Sequence, residues 1–204
     1  GDPTSVSIAL DPTGAQDVLP PDVLKTTFDR YLADVRARKQ PGSLWAYTPY
    51  ELRNVLTYVH LDRPAEADEI LRDFVADQRP RAWLMWPEVV HSRERHPGYI
   101  GDMPHTWIGS EYARTIFGML MHEGDDALSL LPGVPPSWLT GTGIDLKALP
   151  TAYGALTMTV CDTTPWRPVL SRTSNVTVYV PACRNVWADC MPAACGVPSP
   201  KSQS

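Results

Sequence analysis

The stretch TPYELRNVLTYVHLDRPAEADEILRDFVAD, residues 48–77, decides the fold class. Thr48-Pro49-Tyr50-Glu51 has the form of a capping box with proline at the first helical position, a pattern that satisfies two backbone donors otherwise orphaned at a helix start. Leu52, Val55, Leu56 and Val59 then recur at helical spacing, which makes one face apolar. Asp62-Arg63-Pro64 ends this helix and opens another, where Ile70, Leu71, Phe74 and Val75 share a side until Arg79-Pro80 stops it. So short a joint predicts an antiparallel helical hairpin.

The helical period extends outward in both directions. Upstream, Asp22 is placed to cap a helix whose Leu24, Phe28, Tyr31, Leu32 and Val35 form a single stripe, closed by Pro41-Gly42. The first twenty residues, interrupted often by Pro, Gly, Asp and Thr, read as a leading loop. Downstream, residues 106 to 123 carry Ile108, Tyr112, Ile116, Met119 and Leu120 on one stripe, and Gly124 marks the end. Beyond it, short apolar runs at 128 to 131, 137 to 139 and 155 to 160 alternate with Pro and Gly and read as strands, with a further candidate at 176 to 180. The expected organisation is a mainly α chain: a leading segment 1–20, a helical domain 21–125, a small β appendage 126–160, and a tail 161–204.

That tail differs in composition from everything before it. All four cysteines, Cys161, Cys183, Cys190 and Cys195, lie there, with six prolines, one Lys, no Glu and no His. The abrupt change inside an expected strand points to a frameshift that has replaced the original C-terminus; the rival reading is a Cys-rich extension closed by two disulfides in one of three pairings. Asn175-Val176-Thr177 fits the glycosylation pattern, a match too short to carry weight.

A formal charge of -5 and a pI near 5.5 argue against the clustered Lys/Arg footprint that phosphate neutralisation requires, so nucleic acid is not an expected partner. No run approaches the roughly 18 apolar residues of a membrane span, and no charged-then-apolar segment opens the chain. Small molecules, glycans and proteins remain as partner classes.

Between Pro80 and Thr106 no period is sustained. A connection of that length inside a helical domain is uncommon unless it is functional, and this one is crowded with aromatic and ionisable groups. Trp83-Leu84-Met85-Trp86-Pro87-Glu88-Val89-Val90-His91 places a carboxyl group beside two indoles. Aromatic surroundings disfavour a charged carboxylate, and indole faces stack on the C–H faces of sugar rings. Glycosidic cleavage needs a pair of carboxyl groups, and Glu88 is the candidate for one of them; the bland alternative is a capping or ion-paired Glu. In Gly101-Asp102-Met103-Pro104-His105-Thr106-Trp107-Ile108-Gly109-Ser110, Gly101 lets the backbone turn into a helix start whose free N–H groups bind oxygen ligands. Asp102 and His105 are candidates to hold hydroxyl groups, and Trp83, Trp86 and Trp107 to form stacking walls; for Asp102, simple helix capping is an equal alternative. His91, His96 and His105 with Glu94 and Asp102 match no compact metal-ligand spacing, so neither a metal nor any other cofactor is expected.

Taken together, the hairpins, the Trp86-Pro87-Glu88 segment, the run from Gly101 to Ser110 and the later Leu149-Pro150-Thr151-Ala152-Tyr153-Gly154 resemble the C-terminal part of six-hairpin, (α/α)6-barrel glycosidases. The similarity covers about residues 20 to 160 and points toward bacterial rhamnosidase-like proteins, some of which carry discoidin-type modules. In those enzymes a Trp-Glu pair supplies the general base, and an Asn-His-aromatic-Gly segment opens the next barrel helix. Here a proline stands between Trp86 and Glu88, and Pro104-His105-Thr106-Trp107-Ile108-Gly109 replaces the second pattern. The resemblance implies a partial (α/α)6 barrel whose remaining helices, and general acid, lie upstream of Gly1, and an inverting glycoside hydrolase with Glu88 as base and a carbohydrate as substrate. On that reading the chain by itself is inactive. The competing expectation is a non-catalytic module of helical hairpins that binds a glycan or a protein through the same aromatic loop, although no fixed-period repeat runs along the chain.

Overall fold

The computed structural model describes residues 2–93, 96, 101–124, 127–162, 174–179 and 186–188, with backbone alone for 162, 174–179 and 186–188. Cys183, Cys190, Cys195 and Glu94 lie outside the described residues, and the Asn175 side chain is likewise not described. The chain divides into two compact units, Gly1–Leu120 and Met121–Ser204.

The first unit is built on five helices: α1 (Pro3–Leu10), α2 (Pro21–Arg38), α3 (Arg53–His60), α4 (Pro64–Asp77) and α5 (Thr106–Leu120). The expected leading loop is corrected by α1. Asp2 accepts hydrogen bonds from the Thr4 and Ser5 N–H groups and Pro3 occupies the first position, so a full N-cap starts a helix where frequent Pro and Thr had suggested irregular chain. In α2 the buried residues are Leu24, Phe28, Tyr31, Leu32 and Val35, the predicted stripe; Pro20 stands at the cap and Asp22 lies in the first turn.

The predicted capping box at Thr48 does not form. Pro49–Leu52 is a 3-10 turn without a side-chain cap; the Thr48 Oγ1 is buried with no hydrogen-bond partner among the described residues. Glu51 is drawn away instead, accepting from Tyr31 Oη at 2.8 Å and from Arg38 Nη1 at 2.7 Å. A charged, partly buried pair outcompetes a local cap, since hydrogen bonds to ionised groups are about twice as strong as neutral ones.

Helix α3 is enclosed on several sides, packing against α1, α4 and α5, and Asn54, Val55, Leu56, Thr57 and Tyr58 are all buried. Val59 and Val75 are only half-buried. The hairpin joint follows from backbone chemistry. Asp62 adopts a left-handed conformation (φ 57°), the Arg63 N–H donates to the Tyr58 carbonyl at 2.8 Å and the Asp62 N–H to the Val59 carbonyl at 3.1 Å. This is a Schellman closure of α3, with Asp in the position where its short polar side chain is tolerated.

A small antiparallel ladder pairs β1 (Ala46–Tyr47) with β2 (Val90–His91), joining Ala46 to His91 and Tyr47 to Val90. Behind it, Asp77 accepts from Tyr47 Oη at 2.9 Å and from Lys39 Nζ at 2.6 Å. The ladder ties one limb of the long aromatic connection to the segment just ahead of α3.

Among its described residues the second unit is built mainly of strands. Strand β3 (Met121–Glu123) pairs antiparallel with β4 (Leu128–Leu130), and β8 (Val186–Ala188) lies parallel to β4. β5 (Ile144–Thr151) and β6 (Gly154–Asp162) form a hairpin with an irregularity between Leu146 and Leu149, and β7 (Ser174–Tyr179) pairs antiparallel with β6. Leu156, Met158 and Val160 alternate along β6 and are fully buried, the period expected of a sheet with one covered face. At Gly143 (φ +70°) a Cβ would meet the Val160 carbonyl oxygen at 2.1 Å, so only glycine fits this approach to β6.

Several strand expectations change. Residues 136 to 139 form a 3-10 turn (Pro136–Leu139) rather than a strand, β5 was not anticipated, and α5 stops at Leu120 because Met121, His122 and Glu123 pair with β4. The mainly α, partial (α/α)6-barrel expectation is therefore corrected: the chain is mixed α and β, with three small sheets, two of them in a β unit with its own buried core. The helical period of residues 22–120 is genuine, but it describes one unit only. Among the described residues no helix is long and apolar enough to cross a membrane.

Candidate functional site

The aromatic connection folds back on itself so that residues 86–88 run alongside 102–105. The Glu88 N–H donates to the Asp102 carbonyl at 3.1 Å and the His105 N–H to the Trp86 carbonyl at 2.8 Å. Gly101 sits against Glu88 so closely that an added Cβ would lie 2.5 Å from Glu88 Cβ and 3.0 Å from the Val89 nitrogen. The glycine is thus required by contact with a neighbouring backbone, and that contact sets the half-buried Glu88 beside Asp102.

From Asp102 a hydrogen-bonded chain runs inward. Asp102 Oδ2 lies 2.9 Å from His105 Nδ1, and His105 Nε2 lies 2.7 Å from Tyr50 Oη. The Asp102 side chain is 69% exposed whereas that of His105 is 15% exposed, so the carboxylate is the solvent end of the chain. The His105 hydrogen bond, with a smaller contribution from Glu88, holds the Asp102 carboxyl below its ordinary range. Loss of hydration pushes the Tyr50 phenol up; Arg53 opposes this, and Glu88, Asp102 and Glu111 add to it.

Tyr50 also organises the aromatic side of the site. Its ring meets Trp107 edge-on at 5.1 Å and His105 at 5.6 Å. The Arg53 guanidinium stands 5.2 Å from the Tyr50 ring centre and 5.7 Å from that of Trp107, and is anchored by Glu111 through an Nε–Oε1 bond of 2.8 Å. Trp107 remains 58% exposed, an indole face fixed by neighbours and open to solvent.

Of the residues singled out in the sequence, Glu88, Asp102, His105 and Trp107 are brought together. Trp86 is not a wall: it is 6% exposed and packs at 5.2 Å on Tyr112, filling the core beneath the loop. Trp83 is 59% exposed on the turn Arg81–Trp83 and takes no part in the hydrogen-bonded cluster. His91 stacks on His96 at 4.1 Å, separately from the His105 chain, and no group of three or more potential ligands able to hold a metal occurs among the described residues.

Sequence reasoning missed Tyr50, Arg53 and Glu111. Tyr50 was absorbed into the capping-box pattern, and Arg53 and Glu111 look like ordinary helix-surface charges. A usable signal was the proline at Thr48-Pro49, which starts a turn and leaves the next side chain, Tyr50, at the base of α3 beside the loop.

No protein-family model, no curated protein and no solved structure matches this chain. The arrangement defines a class by chemistry alone: an open carboxylate–imidazole–phenol chain, with a second carboxyl group at its mouth and a braced indole at its side.

Proposed function

We propose that this site handles carbohydrate, contributing to a glycoside hydrolase that acts by inverting acid/base hydrolysis. Glu88 is the residue assigned as base toward water. Asp102 and His105 hold sugar hydroxyls, and Trp107 supplies the stacking face. The observation that carries the reading is the grouping of Glu88, Asp102 and His105 beside an exposed, braced indole: sugars present hydroxyls to ionised and imidazole partners and C–H faces to aromatic rings. Asp102, a carboxylate that His105 holds below its ordinary range, is suited to accept from hydroxyl groups.

The test begins with tryptophan fluorescence titrations of the chain against a panel of oligosaccharides, comparing wild type with Trp107→Ala. Saturable quenching abolished by the substitution supports the site; absence of any response across the panel rejects it. For the base role, Glu88→Gln in a preparation that turns over a glycoside should lower the rate by at least about a hundredfold while sugar binding persists, the scale of a lost general base. Near-normal turnover removes Glu88 from the chemistry.

One observation favours the second reading, a non-catalytic binding module. The Asp102 carboxylate is engaged by His105 Nδ1 at 2.9 Å, whereas inverting and retaining mechanisms alike need two carboxyl groups directed at the glycosidic bond. Asp102, committed to His105, is therefore not the second carboxyl of a cleavage pair in this reading. Binding that survives Glu88→Gln in a chain with no turnover selects this reading.

A further inference from the structure

We propose that Tyr50 is a working member of this site, the inner terminus of a hydrogen-bond relay Asp102–His105–Tyr50 in which Asp102 fixes the tautomer of His105 and His105 sets the hydrogen-bond polarity of the Tyr50 hydroxyl.

The argument is one of donors and acceptors. An ionised carboxylate only accepts, so the 2.9 Å contact between Asp102 Oδ2 and His105 Nδ1 requires the proton on Nδ1. In the neutral ring Nε2 is then a bare acceptor, and the 2.7 Å contact with Tyr50 Oη makes the phenol the donor. Tyr50 thereby offers only lone pairs to anything else that reaches its oxygen. When His105 takes a second proton, Nε2–H donates to Tyr50 Oη and the phenolic hydrogen must turn away, so the same oxygen becomes a donor. No bond other than those to hydrogen changes, and the one proton gained resides on Nε2.

The surroundings are matched to this exchange. Asp102 and Glu88 bring negative charge from the two limbs of the loop, and Glu111 brings it from α5; Arg53 on α3 brings positive charge against the Tyr50 ring. Glu111 restrains Arg53 through its 2.8 Å bond, which keeps the cation over the ring. The phenol is held in its protonated form by partial loss of hydration, which keeps its proton available for His105. A sugar hydroxyl is the ligand suited to an oxygen that alternates between acceptor and donor, because it can play either part; this last step rests on the carbohydrate reading, while the relay itself does not.

The relay is tested without any ligand, so its failure is distinguishable from failure of the carbohydrate assignment. In the 15N-labelled full chain, long-range 1H–15N spectra of the five histidines, with His105 assigned by its loss in His105→Gln, report which ring nitrogen carries the proton. The expected result for the neutral His105 ring is a protonated Nδ1 and a bare Nε2, the tautomer that is the minority form of free histidine. Tyr50→Phe should shift the Nε2 resonance of His105 downfield, as a lost donor requires, and leave Nδ1 nearly unmoved. Asp102→Asn should erode the tautomer preference. A wild-type His105 protonated on Nε2, or an Nε2 resonance indifferent to Tyr50→Phe, overturns the relay; the wild-type measurement decides even where a substituted chain fails to fold.

Discussion

Replacing Gly101 with alanine tests whether Glu88 is held where the site needs it. The added Cβ would lie 2.5 Å from Glu88 Cβ, 2.9 Å from Glu88 Oε2 and 3.0 Å from the Val89 nitrogen. Rotation of the carboxylate relieves only the second of these; the other two involve atoms fixed by backbone. The limbs 86–88 and 101–105 must separate, which strains the Glu88 N–H bond to the Asp102 carbonyl. Forcing one methyl group into such contact costs about 1–3 kcal/mol, and weakening the hydrogen bond adds up to roughly 1 kcal/mol. Gly109→Ala is the matched control, because nothing lies within 4 Å of its added Cβ and the position is inside α5. Alanine in a helix interior there should stabilise by about 0.5–1 kcal/mol. Urea denaturation followed by far-UV circular dichroism should therefore move the two midpoints in opposite directions. Gly101→Ala with a midpoint at or above that of the wild type would refute the close approach of Gly101 to Glu88, and with it the geometry that places Glu88 beside Asp102.

Three further outcomes follow from single contacts. Asp2→Ala removes the side-chain cap of α1 and should cost about 1 kcal/mol, read from the same denaturation curves. The hydrogen bonds from Ser5 and Thr4 hold the Asp2 carboxyl below its ordinary range, so its contribution is present above the usual carboxylate range and is lost as pH falls through the depressed value; the difference between wild type and Asp2→Ala should shrink on acidification. Tyr47→Phe leaves Asp77 paired with Lys39 but removes one hydrogen bond to a buried carboxylate, for an expected loss of about 1.5–3 kcal/mol; an unchanged midpoint would show that Asp77 does not need the phenol. Trp107→Ala should reduce oligosaccharide binding by roughly ten- to a hundredfold, as loss of a stacking face worth about 1.5–3 kcal/mol implies, with stability changed far less because the indole is 58% exposed.

The parts of the fold that were legible in the sequence are those decided by local periodicity. The α2 stripe from Leu24 to Val35 is buried as its spacing requires, and Asp62-Arg63-Pro64 marks the joint where a Schellman closure ends α3. What could not be read depends on partners far along the chain. Glu51 looked like half of a capping box, yet Tyr31 and Arg38, 20 and 13 residues away, hold its carboxylate. Met121 to Glu123 continue a helical stripe in sequence but find hydrogen-bond partners in β4. The site shows the same division. Glu88, Asp102, His105 and Trp107 announce themselves by residue type in a loop without period, while Tyr50 and Arg53 become part of it only because the β1–β2 ladder and α3 bring the earlier segment against the loop. Trp86 carries the opposite lesson: an indole beside a candidate acid reads as a sugar wall, but Tyr112 on α5 claims its face.

The engagement of Asp102 by His105 separates what this site can do by itself from what cleavage demands. His105 holds the Asp102 carboxylate at 2.9 Å and keeps it below its ordinary range. In the proposed site these residues form one unit: Asp102 is turned toward His105, and Glu88 is the member assigned as base toward water. Such a unit can polarise a hydroxyl or draw a proton from water, but it cannot at the same time protonate a leaving group on the opposite side of a sugar, which requires a carboxyl group several ångströms away. Binding needs nothing more than the cluster and the Trp107 face. Hydrolysis needs a further acid, set across the sugar from Glu88. The Glu88→Gln comparison is informative for this reason: turnover and binding depend on different numbers of carboxyl groups, so a substitution that removes one proton-exchanging member abolishes the first and spares the second only where that further acid exists.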